Sequence, residues 1–74
     1  MTIPIIDMEA TGQNIKHFRE QSGMSISDLQ DVFGFNYPQS VYSWQSGKSL
    51  PTVDNLVILA SLFGVTVDEI IATR

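Results

Sequence analysis

Apolar residues recur along this chain at intervals of three and four, and glycines break the pattern into short blocks. That period belongs to α-helices burying one face; a half-buried strand would alternate every second residue. A first helix is expected from about Glu9 or Thr11 to about Ser22, with Ile15, Phe18 and Gln21 as its inner stripe and Gly23 ending it in a left-handed turn. A second starts at Ser25, where Ser25 and Asp28 have capping-box spacing; Leu29, Val32 and Phe33 follow at helical intervals and Gly34 closes it. Pro38 suits the first position of a third helix, where its missing N–H has no intrahelical role, and Gly47 ends that helix after Gln45. Pro51-Thr52 announces a fourth, with Val53, Leu56, Leu59, Ala60 and Phe63 as its buried face and Gly64 as its stop. Thr66 and Glu69 form the capping box of a fifth, from which Val67, Ile70 and Ile71 face inward. Only Ile3–Ile6 reads as extended, and Pro4 makes that stretch an edge or a coil.

Such short connections between blocks force successive helices to pack on one another. The expected fold is all-α: a compact five-helix bundle with a short N-terminal extended arm, the arm covering residues 1–10 and one domain covering 11–74. A chain of 74 residues buries only about 60% of its unfolded surface. It has no cysteine, so no disulfide can help, and one histidine without cysteine cannot close a structural zinc site. Neither a metal nor another cofactor is expected. The opening Met1–Asp7 is too short for the apolar core of a secretory signal, and the longest apolar run, Leu56 to Leu62 broken by Ser61, is far below a membrane span. Cytoplasm is the expected compartment, with no membrane partner.

The segment Gln39 to Pro51 carries the most specific chemistry. Val41 and Trp44 stand three apart and can face inward, leaving Gln39, Ser40, Tyr42, Ser43 and Gln45 outside. A short rod, polar on one side and braced by apolar residues on the other, is how a helix is presented to a DNA groove. Gln, Ser and Tyr can all bond base edges or phosphates; the same residues could equally form a plain solvated face. Charge bears on the choice. Four Lys and Arg against eight Asp and Glu give a net charge of −4, the reverse of the usual DNA-binding balance. From Asn36 to Thr52, however, the chain contains Lys48 and no acid. A nearly neutral reading face on an acidic body implies weak binding unless copies pair.

The order of several pieces then matters: Gly12 to Ser25, with Leu29 and Gly34; Trp44-Gln45-Ser46-Gly47-Lys48-Ser49-Leu50-Pro51; Leu56 and Leu59-Ala60; and Leu62 to Ile71. Together they resemble the XRE or Cro-like helix-turn-helix family of phage and bacterial repressors, over about Thr11 to Ile71. The resemblance implies a lambda-repressor-like DNA-binding fold, binding of double-stranded operator DNA, a homodimer, and control of transcription without a small-molecule substrate. It implies Gln39 as the base reader, since its amide can bond adenine bidentately. Ser40, Tyr42 and Ser43 follow as base or phosphate contacts, and Lys48 as a phosphate contact. Tyr37 and Ser49 complete the expected set, although either tyrosine could instead cover the bundle. Three features depart from the family pattern. Ile26 stands where a polar phosphate contact is common, and Gln30 where a small residue is usual. Six residues, not five, separate Gly34 from Val41, so the turn is longer by one and Pro38 occupies a place often held by a polar contact.

Elsewhere the chemistry reads as structural. His17 lacks a partner set, and Lys16 and Arg19 could touch phosphate, pair with Glu20, or stay solvated. Asp68 and Glu69 complement the dipole at a helix start. Met8 and Met24 fill gaps. No nucleophile–base set or phosphate loop appears, so no catalytic residue is assigned and the chain reads as a non-enzyme. The acidic balance, Ile26 and the apolar Ile3, Ile5 and Ile6 keep a second reading open: a protein-interaction module of the same fold that has lost DNA. For a dimer, either the fifth helix, through Ile70 and Ile71, or the Ile3–Ile6 arm would be the apolar seam.

Overall fold

The computed structural model describes residues 3–74, within which five helices follow one another: α1 (Met8–Gln21), α2 (Ile26–Phe33), α3 (Gln39–Ser46), α4 (Val53–Phe63) and α5 (Val67–Ile70). Their starts are set by side-chain caps. Ser25 with Asp28, and Thr66 with Glu69, close reciprocal capping boxes, and Thr52 accepts from the Asn55 N–H. The first helix begins at Met8, ahead of the expected Glu9 or Thr11, because Asp7 accepts from the Ala10 N–H at 3.0 Å. Pro38, expected as the first helical residue, is instead the N-cap, and its carbonyl accepts from the Tyr42 N–H at 3.1 Å. Gly34, Gly47 and Gly64 end α2, α3 and α4 in the left-handed region.

Ile15, Leu29, Val41, Trp44, Leu56, Leu59, Ala60 and Ile70 form one buried core, each helix contributing at least one member. Phe18, Ile26, Phe33, Phe35, Phe63, Val67 and Ile71 pack around it. Three expected inner positions face out. Val53 is 76% exposed, because it is the first residue of α4 and projects a turn ahead of Leu56, where the core begins. Val32 is 47% exposed, since Leu29 and Phe33, four apart, take the contact with the core. Gln21, on the last turn of α1, is exposed. Ile70 is fully buried, and Val67 and Ile71 are half-buried.

Of the expected N-terminal arm, residues 1 and 2 lie outside the described residues, Met8 to Ala10 belong to α1, and residues 3–7 form no helix and have a partner. Ile6 bridges Thr73 in antiparallel sense, the Asp7 N–H donates to the Ala72 carbonyl at 2.8 Å, and the Arg74 N–H donates to the Ile5 carbonyl at 2.9 Å. Thr11, fully buried on α1, secures the same tail: its hydroxyl oxygen accepts from the Ala72 N–H at 2.9 Å. Asn14 donates to the Ile70 carbonyl at 3.0 Å. The main packing partner of α3 is α1, and the two backbones meet closely. A Cβ on Gly12 would lie 2.3 Å from the Trp44 carbonyl oxygen and 2.6 Å from that of Gln45.

Candidate nucleic-acid interface

The eight-residue α3 buries Val41 and Trp44, and that burial fixes which side remains free. Trp44 is gripped by two rings. Phe33 meets it edge-on at 5.4 Å and Phe35 at 5.8 Å, while Phe33 and Phe35 stack on each other at 5.4 Å. The trio fastens the end of α2 and the start of the turn that follows it to α3.

A second brace comes from α1. The half-buried Arg19 donates from Nε to Gln45 Oε1 at 2.9 Å and from Nη1 to the Met24 carbonyl at 2.8 Å. One guanidinium thereby ties α1 to α3 and to the residue just before the α2 cap. Of the alternatives for Arg19, neither Glu20 nor solvent is what the structure places on these donors. The polar atoms are satisfied as well: among the described residues, no buried side-chain nitrogen or oxygen lacks a partner.

On the free side, Gln39, Tyr42, Ser43 and Ser46 follow at helical spacing, and with Pro38 and Lys48 they line one surface depression of about 470 Å³. Gln39 also lines a neighbouring depression of about 410 Å³, with Phe35, Asn36, Tyr37 and Ser40. Gln39, Ser40, Lys48 and Ser49 are exposed and Ser43 is half-buried. Tyr42 is 55% and Tyr37 71% exposed. Thus six of the seven sequence-derived residues border two adjoining depressions, and Ser49 stands outside both. Its N–H, like that of Lys48, donates to the Ser43 carbonyl, at 3.4 and 3.0 Å, which folds the turn back against the helix end and holds Lys48 beside it. Ser46 and Asn36 join the surface although neither was in the sequence-derived set. Ser46 lies seven residues beyond Gln39, two turns along the same face, and that spacing was the available signal.

The surface carries hydroxyls, amides, one ammonium and no carboxylate. Ile26, in the place of a polar contact, packs against the core, and Gln30 is half-buried. Among the described residues no group of three or more potential metal ligands comes together, and no helix is long and apolar enough to cross a membrane.

A pair of short helices joined by a tight turn, the second presenting an uncovered polar face, defines the class of helix-turn-helix domains. The helix-turn-helix family model matches residues 15–70, and the chain belongs to that family. Two solved structures are similar throughout. The crystal structure of the DNA-binding domain of BldD is 26% identical, with a TM-score of 0.71 over 88% of this chain and 93% of that one. The S. venezulae BldD DNA-binding domain gives the same identity and TM-score, over 88% of this chain and 96% of that one. No curated protein matches the chain in sequence.

Proposed function

We propose that this chain is a sequence-specific DNA-binding regulator of transcription, with α3 reading the major groove of an operator and Gln39, Ser40, Tyr42 and Ser43 meeting bases or phosphates. Lys48 and Ser49 contact the backbone beyond the helix, and Tyr37 contacts the duplex ahead of it. The observation that carries this reading is the outward stripe Gln39, Tyr42, Ser43, Ser46, held rigid by buried Val41 and Trp44 and free of acids on an otherwise acidic chain. Its donors and acceptors match what base edges and phosphates offer. Similarity to BldD domains whose own role is DNA binding supports the same conclusion.

The test is retention of a random-sequence duplex pool at low salt. Wild type should enrich a short motif and lose it as salt rises, and Gln39→Ala with Lys48→Ala should abolish enrichment. Both substitutions are at exposed positions, so the double variant should keep its helical circular dichroism. If the wild-type chain enriches nothing, the DNA reading fails.

A homodimer belongs to the same proposal, and a specific surface favours it. Val53 with Val57 and Ile58 with Leu62 leave two exposed apolar pairs on the outer side of α4, with the exposed Asp54 and Ser61 between them. That face equally suits a different protein partner, which is the second reading: an interaction module of the same fold. Enrichment of a duplex motif separates the two.

A further inference from the structure

The depression at the start of α3 has a chemistry unlike that of the one farther along the helix. Phe35, Asn36, Tyr37, Gln39 and Ser40 line it, so it pairs two aromatic rings with an amide and hydroxyl rim and contains no cation. Phe35 is fixed there by its contacts with Phe33 and Trp44. Tyr37, at 71% exposure, joins none of the ring contacts found among the described residues. It sits in the turn between α2 and α3, two residues before the end of the helix that enters a groove first. A phosphate would find hydrogen-bond donors on the rim but no cation to meet its charge, and it would gain nothing from two rings. In the major groove the edges of the bases offer hydrogen-bonding atoms with one apolar exception, the C5-methyl of thymine.

Resting on the DNA-binding reading, we propose that Tyr37 and Phe35 form a receptor for a thymine C5-methyl group. Tyr37 is thereby a specificity-determining residue, supplied by the turn and not by the helix. Gln39, shared by both depressions, fixes the position along the groove, and the ring beside it tests for the methyl. Methyl burial requires no change of charge and so adds discrimination that salt does not screen.

The experiment substitutes deoxyuridine for thymidine, one position at a time, in the motif that wild type selects. This removes the methyl and nothing else. At one thymine per α3 the substitution should weaken wild-type binding about fourfold, the worth of one buried methyl group. Tyr37→Phe should keep that sensitivity. Tyr37→Ala should bind thymidine and deoxyuridine duplexes alike at that position, a coupling read directly from the double cycle. A wild type indifferent to deoxyuridine everywhere, or a Tyr37→Ala variant as sensitive as wild type, overturns the proposal while DNA binding stands. A wild type that binds no duplex removes both.

Discussion

At the scale of single residues, Gly12 shows how one missing atom sets the position of α3. Mid-helix, glycine costs about 1 kcal/mol relative to alanine, so propensity alone favours Gly12→Ala. Against that, the new methyl would meet two backbone carbonyl oxygens of α3, at 2.3 and 2.6 Å, and neither can rotate away as a flexible side chain would. Overpacking of this kind costs about 3 kcal/mol, so Gly12→Ala should lower stability by about 2 kcal/mol net, measured as a shift of the urea midpoint. Gly23 supplies the contrast. Its φ of 70° makes a side chain strained, yet no atom lies within 4 Å of a Cβ there, and Gly23→Ala should cost only about 1 kcal/mol. Equal losses at the two positions would mean that the close approach of α1 to α3 does not constrain the fold. Gly12 stands in the motif that carries the family resemblance, but its reason for being glycine is invisible along the chain: the carbonyls it avoids lie more than thirty residues away.

Among whole elements, the arm, α1 and the C-terminal tail act as a unit. Thr11 is the joint, a fully buried hydroxyl accepting from the Ala72 N–H. Replacing it with the near-isosteric Val keeps the volume and strands that N–H, a loss of about 2 kcal/mol. Thr11→Val should therefore speed hydrogen exchange at Ala72 and at the ladder amides of Asp7 and Arg74, while the α3 amides change only as far as global stability falls. Unaltered exchange at those three amides would show that the hydroxyl does not hold the tail. The comparison of sequence with structure turns on the same distinction between local and distant causes. The five helices, both capping boxes and the inward pair Val41 and Trp44 could be read directly, because period and caps act within four residues. Asp7 as a cap, the Thr11 joint and the Arg19–Gln45 brace could not, because each depends on tertiary approach or on a start lying before the apolar stripe. Val53 fitted the period and still faces out, since periodicity says which side a residue occupies but not whether the core extends as far as the helix end. The candidate interface was legible for the same local reason: burial of one side of a short helix determines the other.

For the molecule as a whole, size and charge together argue for action in pairs. An eight-residue helix is about 12 Å long and can follow only about four base pairs of duplex, too few to single out one site among the millions of competitors in a genome. Net charge of −4 compounds the problem, since the proposed reading surface carries Lys48 as its one ammonium. Each phosphate neutralised contributes about −0.9 to the slope of log K against log salt, so two copies with one Lys48 each should give a slope near about −2, shallow for a regulator. Lys48→Ala should bring it close to zero. The proposed seam is the outer side of α4, where Val53, Val57, Ile58 and Leu62 are exposed, and Val57→Asp would put a second carboxylate beside Asp54 there without touching the core. Sedimentation should then find wild type dimerising at high concentration and Val57→Asp monomeric, with weaker operator binding but an unchanged selected half-site. A strictly monomeric wild type would remove the dimer. A slope several times steeper than −2 would mean that Lys16, Arg19 or Arg74 reaches phosphate too, placing the duplex across more of the molecule than α3 and its turn.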